Sequence, residues 1–152
     1  MITFERMNNK QFKNYLEFML PDYKRDTAEH YMMTIEEANE KAENQMESLL
    51  PDQEKTEGQY LFNIKSDEHI AGYLWFHVEK EKKRAFLYHI YILESFRKQG
   101  VAQAALAFFE NEAKDEGAES VGLHVFGSNE NAIGLYKKLG YRQASISMNK
   151  VL

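Results

Sequence analysis

The stretch Ile90-Tyr91-Ile92-Leu93-Glu94-Ser95-Phe96-Arg97-Lys98-Gln99-Gly100-Val101-Ala102 passes from β-branched and aromatic residues through a basic turn into a segment with helical apolar spacing. A strand-to-helix junction of this kind aims unpaired backbone N–H groups and the positive end of the helix at one point. Gly100 and Ala102 let an anionic group approach the backbone closely, and Arg97 and Lys98 add charge. The segment is not a P-loop, since no Gly-Lys-Ser/Thr follows, and not a dinucleotide fingerprint, since the three-glycine spacing is absent. Taken alone, Arg97-x-x-Gly100-x-Ala102 supports two readings: an anion cradle, or a tight turn whose basic side chains are solvated.

Proton chemistry has few candidates. Tyr136 lies on the stripe Ala132, Leu135, Tyr136 and Leu139, so its phenol is either a core aromatic or a proton donor facing a site. His89 has an ordinary pKa suited to a base, but strand alternation can turn it away from an acceptor, and a structural histidine is an equal reading. His77 and His124 carry the same ambiguity, and Glu79 and Glu94 rank no higher than a water chain. Glu36, Glu37, Glu40, Glu43 and Glu47 fall at helical spacing and read as a solvated face. Asp26, Glu29 and His30 do not form a recognised ligand set, so no metal is expected. The chain has no cysteine, which excludes disulfides, thiolate metal sites and a thioester-linked enzyme intermediate.

The elements that would position these groups are legible in the apolar pattern. Residues 2–6 form a short strand, and Phe12, Leu16, Met19 and Leu20 a helix that Pro21 interrupts or bends. Thr34-Ile35-Glu36-Glu37 has the form of a capping box and starts a helix over 35–50, stopped before Pro51. Strands follow over 59–64, 70–78 and 85–93, separated by polar turns, with Tyr60, Phe62, Tyr73, Trp75 and Phe76 packing the sheet. A helix runs from Gly100 to Gly117, a strand over 120–126, a helix capped by Ser128 or Asn129 ends at Gly140, and 141–152 closes as one or two strands. The order β-α-α-β-β-β-α-β-α-β predicts an α/β (α+β mixed) fold: a twisted, mostly antiparallel mixed sheet with helices on both faces.

Composition narrows the function. A length of 152 residues suits one domain over 1–152, and 43% hydrophobic with 13% aromatic residues supplies a substantial core. Nineteen basic residues against 24 acidic ones give a net charge of −5, so the global field repels nucleic acid and anionic membrane. The first residues do not read as a signal sequence and no apolar run is long enough to span a bilayer; a soluble cytoplasmic protein is the expectation.

Asn129-x-x-Ala132-x-x-Leu135-Tyr136-x-x-x-Gly140-Tyr141 follows Arg97-x-x-Gly100-x-Ala102 at a characteristic separation. Together they resemble the paired signature of the GNAT superfamily of N-acetyltransferases. The element order agrees along nearly the whole chain, with residues 1 to about 58 matching by topology only. The resemblance implies acetyl-CoA as co-substrate, with its pyrophosphate on the amides of Lys98, Gln99, Gly100, Val101 and Ala102 and with Arg97 adding charge. It implies pairing of the pantetheine arm with the backbone of Tyr91, Ile92 and Leu93, where a bulge splays the strand from its neighbour. Ile92 N–H then becomes the oxyanion donor, Tyr136 the general acid, and Asn129 a coenzyme or water contact. Many relatives carry a carboxylate early in the central strand; Ala85-Phe86-Leu87-Tyr88 has none, which leaves His89 or a water chain as base.

The implied activity is direct transfer of acetyl to a primary amine of a small molecule, peptide or protein in a ternary complex. The alternative is a non-catalytic acyl-CoA-binding or sensing module. The resemblance also allows a homodimer through the edge of the C-terminal strand, as in some relatives. The acceptor's identity is not written in these motifs.

Overall fold

The computed structural model describes all 152 residues. Strand β1 (Ile2–Arg6) leads to α1 (Asn9–His30) and α2 (Ile35–Leu49), and a 3₁₀ turn precedes β2 (Gln59–Ser66). Then come β3 (His69–Glu79), β4 (Arg84–Ile92), α3 (Val101–Asp115), β5 (Ser120–Leu123) and α4 (Glu130–Lys138). The five strands form one sheet in the order β1-β2-β3-β4-β5, antiparallel except for the parallel β4–β5 pair. A parallel neighbour requires a crossover, and α3 supplies it.

The sheet is covered on both faces, as expected. On one face Phe76, Phe109, Leu74, Leu106 and Ile64 meet, joining the sheet to α3, with Leu135 and Leu139 of α4 at the margin. On the other, Phe12, Tyr15 and Met19 of α1 pack on Leu61 and Trp75. Each fully buried large side chain contributes about 1.5–3 kcal/mol, so these two clusters anchor the helices that border the site.

Two expectations are corrected. Helix α1 continues through Pro21 to His30, so of the two readings, interruption or bend, the interruption does not occur. Pro21 is exposed, so the Glu17 carbonyl that loses its donor can turn to water, while Met19, Tyr23 and Thr27 continue the inward-facing stripe begun by Phe12 and Tyr15. Tertiary packing of that stripe outweighs the ~3 kcal/mol proline penalty. The closing strand over 141–152 does not form: the segment has no ladder partner, and Ile146 and Met148 are exposed. The edge strand β5 is only four residues long and offers little edge, and the segment's side-chain ties are Tyr141 Oη donating to Glu110 at 2.9 Å and Asn149 Nδ2 donating to the His30 carbonyl at 2.7 Å. The sheet edges are therefore β1 and β5, and the strand edge on which the homodimer expectation rested is missing.

The helix ends match the sequence signals closely. Thr34 Oγ1 accepts from the Glu37 amide at 3.1 Å, although the Glu37 carboxylate meets the Thr34 hydroxyl rather than completing the box on its backbone. The Glu36, Glu37, Glu40, Glu43 and Glu47 side is exposed, a solvated face. No helix is long and apolar enough to cross a membrane.

Candidate active site

The parallel ladder between β4 and β5 ends early. Arg84 to Leu87 pair with Ser120 to Leu123, and beyond Leu87 strand β4 has no partner on that side. A bulge lies at the same place: Trp75 faces His89 and Phe76 faces Leu87, leaving Tyr88 as the extra residue. The splay thus starts at Tyr88, earlier than the Tyr91–Leu93 expected from the resemblance. The extra residue resets the alternation. Leu87 faces α3, yet both Tyr88 and His89 face α1, so the bulge turns His89 toward the side from which strict alternation would exclude it.

Past the bulge, the Leu93 N–H donates to Ala71 O at 2.8 Å. Antiparallel ladders alternate, so the N–H and carbonyl of Ile92 point to the opposite, unpaired edge of β4. Arg97 Nε donates to that Ile92 carbonyl at 2.8 Å, and its guanidinium lies 5.2 Å from the Tyr91 ring centroid. Of the three predicted backbone contacts, Leu93 has its N–H committed to β3, while Ile92 keeps its N–H on the open side. Gly72 makes this geometry possible: a Cβ there would overlap the Tyr91 carbonyl oxygen and come within 3.1 Å of Ile92 Cα. The sequence signal for Gly72 is an isolated glycine in an otherwise bulky strand, which marks close backbone approach.

The turn after β4 has the geometry of an anion cradle. Lys98 and Gly100 both take left-handed conformations, with φ of 60° and 79°. The N–H groups from Lys98 to Gln103 donate to no backbone carbonyl, and no side chain caps α3. Unpaired amides gathered at the start of a 15-residue helix are a ready anion site. Arg97 and Lys98 are exposed beside them. Gln99 turns its side chain back to Ser95 O at 3.2 Å, and the Val101 side chain is buried, so both offer backbone only.

At the other end of the splay a cavity of about 650 Å³ lies among β4, α1, α2 and the β5–α4 loop. Tyr136 and Asn129 line it. The Asn129 carboxamide oxygen caps α4 by accepting from the Ala132 amide at 3.3 Å. Tyr136 is positioned from the far end of that helix. Gly140, at φ 100°, donates to Lys137 O, and the Tyr141 N–H donates to Tyr136 O at 2.9 Å, a Schellman cap. The Tyr141 ring meets Tyr136 edge-on at 5.8 Å and its hydroxyl donates to Glu110 at 2.9 Å. Gly140-Tyr141 in the signature is therefore the brace that fixes Tyr136. Burial alone raises the Tyr136 pKa, so the phenol stays protonated.

His89 lines the same cavity and its Nδ1 lies 2.6 Å from the Tyr15 hydroxyl. Tyr15 is fully buried, which holds its phenol protonated, and its hydroxyl has no other hydrogen-bond partner, so the pairing that satisfies that proton has His89 Nδ1 accepting it. In that pairing the His89 proton sits on Nε2. Burial lowers the His89 pKa to about 4, with the Asp22 charge opposing only in part, so the ring is neutral near pH 7. His77 bonds Gly58 O through Nδ1, a structural role, and His124 meets the Tyr31 hydroxyl at 3.3 Å on the cavity wall. His30 uses both ring nitrogens, on Asp26 O and Ser128 Oγ.

Sequence reasoning missed the wall contributed by the second half of α1, including Asp22, Asp26 and Thr27. The i, i+4 spacing of Asp22 and Asp26 was visible, but a helix read as interrupted or bent at Pro21 gives that spacing no fixed face.

A mixed sheet splayed after its parallel pair, with an amide cradle at one end of the splay and a phenol-lined cavity at the other, is the architecture of an acyltransferase. The acetyltransferase (GNAT) family model matches residues 13–141, and the chain belongs to that family; it is an N-acetyltransferase. It is 33% identical to the uncharacterised N-acetyltransferase YdgE of Bacillus subtilis (strain 168), over 99% of this chain and 98% of that protein. The crystal structure of YycN from Bacillus subtilis superposes with a TM-score of 0.91 at 29% identity, covering 100% of this chain and 99% of that one. A shorter match, 34% over 65 residues, reaches the ribosomal protein bS18-alanine N-acetyltransferase of Escherichia coli (strain K12), covering 43% of this chain and 44% of that protein.

Proposed function

We propose that the protein transfers acetyl from acetyl-CoA directly to a primary amine in a ternary complex. One observation carries the reading: the splay between β4 and β5 connects a run of unpaired amides with a cavity in which the Tyr136 phenol is free of hydrogen bonds. That geometry suits a long coenzyme that is anionic at one end and reactive at the other, and acetyl-CoA supplies an activated thioester there. The cradle amides from Lys98 onward would hold the pyrophosphate, reinforced by Lys98 and by the Arg97 guanidinium braced on Ile92 and Tyr91. Ile92 N–H would donate to the thioester oxygen as charge develops, a contact typically worth ~3 kcal/mol. Tyr136, kept protonated by burial, would give its proton to the departing sulfur.

His89 is not the base in this reading. Its Nδ1 lone pair is taken by Tyr15 and its Nε2 carries the proton, so it can offer the cavity a donor only. Water in the cavity takes the ammonium proton instead. The acceptor is a primary amine of a small molecule, peptide or protein; the bS18-alanine relative is named for a protein amine.

The test is release of free CoA thiol from acetyl-CoA across an amine panel, with the acetylated product identified by mass. Amine-dependent release with a matching amide product supports the reading. Absence of release on every amine, with acetyl-CoA demonstrably bound, would overturn it in favour of a coenzyme-binding module.

A further inference from the structure

We infer that the acceptor is a linear aliphatic diamine or polyamine, whose second ammonium is held by Asp22 and Asp26 while the first is acetylated. This deepens the acetyl-transfer reading and rests on it. Asp22 and Asp26 are the only carboxylates lining the cavity, and they stand at i, i+4 on the wall made by α1. Tyr136 and Asn129 line the coenzyme side. Phe18, Tyr88, Tyr91, Trp75 and Phe86 also line it, rings that favour an alkyl chain and a cation over an anion.

Three further features fit that occupant. Asp26 has no ion-pair partner, and Asp22 meets only the exposed Arg25 of its own helix. Thr27, on the same wall and 2% exposed, has a hydroxyl with no hydrogen-bond partner, a polar group left unsatisfied behind the two carboxylates. Lys41, the one ammonium of the lining, stands over the Tyr31 ring at 4.7 Å and makes no ion pair with either aspartate, which leaves both carboxylates open to a bound cation. The end of α1 is also tied across the β5–α4 loop: His30 Nε2 meets Ser128 Oγ at 2.7 Å and Tyr31 meets His124 at 3.3 Å. Tyr31 and His124 line the cavity, so this tie joins two of its walls.

The test compares putrescine and spermidine with n-butylamine and with a short peptide bearing a free α-amine. Substrates are followed by thiol release on the wild type, Asp22→Asn, Asp26→Asn and, as a control on the same helix outside the cavity, Glu29→Gln. Acetyl-CoA affinity is measured by calorimetry for each. The expected result is a kcat/KM for the diamines roughly tenfold or more above that for n-butylamine. In the Asp26→Asn and Asp22→Asn proteins that gap closes through KM, with acetyl-CoA affinity unchanged. Equal use of n-butylamine and putrescine by the wild type, a preference for the peptide, or a gap that survives both substitutions overturns the proposal while leaving acetyl transfer intact. Loss of acetyl-CoA binding in the wild type is a different failure: it removes the transfer reading itself and this proposal with it.

Discussion

A single methyl group at Gly72 should disable the site without removing any group that performs chemistry. In Gly72→Ala the new Cβ overlaps the Tyr91 carbonyl oxygen and lies 3.1 Å from Ile92 Cα. Both neighbours are backbone atoms in a paired ladder and cannot rotate aside, so β3 and β4 must part by on the order of 1 Å at this point. Overpacking of this kind costs about 1–3 kcal/mol, which for a chain of this size lowers Tm by roughly 3–10 °C. The same displacement moves the Ile92 N–H, and a misplacement of about 1 Å typically costs on the order of a hundredfold in rate. Thermal melts and acetyl-transfer kinetics on one preparation read both effects. Leu106→Ala is the comparison: it opens a cavity in the α3 core without adding an atom between β3 and β4, and should lower Tm at least as much while kcat is retained. A Gly72→Ala protein with wild-type Tm and kcat, or a rate loss matched by Leu106→Ala, would refute the reasoning.

Other outcomes follow from the same geometry. Tyr136→Phe should lower kcat about a hundredfold and leave acetyl-CoA affinity and Tm nearly unchanged, because no hydrogen bond of the hydroxyl is lost; equal loss of affinity and rate would make Tyr136 a packing residue. Gly140→Ala forces a side chain into φ 100° and should cost about 1 kcal/mol in denaturant melts, together with a fall in kcat as the Tyr136 brace loosens. His89 is held neutral down to about pH 4 in the fold but binds a proton near 6.5 when unfolded, so its contribution to stability is complete above that value. As pH falls from about 6.5 toward 4 the unfolded chain binds the extra proton and stability drops, by up to about 3 kcal/mol in total; His89→Gln should flatten that part of the pH–stability curve. The kcat profile should show no His89 limb near 6.5.

Local signals were readable in the chain because they act within a few residues. Gly100 opens α3 and Gly140 closes α4, Asn129 caps α4 and Thr34 caps α2, each at the expected residue. The order of strands and helical stripes also gave the mostly antiparallel sheet with helices on both faces. What could not be read depends on contacts between distant segments. Pro21 stays inside a helix because the chain beyond it finds partners, Tyr23 against Gln45 of α2 and Thr27 in a buried position. The Tyr88 bulge exists because β3 and β4 differ by one residue in register, and it alone decides that His89 faces α1 and Tyr15. The alternation of Ala144, Ile146 and Met148 looks like a strand, yet a ladder needs a partner, and β5 ends too soon to supply one. The carboxylate wall of Asp22 and Asp26 appears only once α1 is long enough to reach the β5–α4 loop.

The central claim is that the amides from Lys98 to Gln103 seat the anionic end of acetyl-CoA. Calorimetric titration of acetyl-CoA into the wild type and into Gly100→Glu, side by side, tests it most directly. Gly100 has open space around a built Cβ, so the substitution adds negative charge at the cradle, with a backbone cost at φ 79° that a thermal melt reads separately. The account predicts saturable binding to the wild type and at least about a tenfold weaker affinity in a folded Gly100→Glu protein. Equal affinity in the two proteins, or no binding to the wild type, would contradict it.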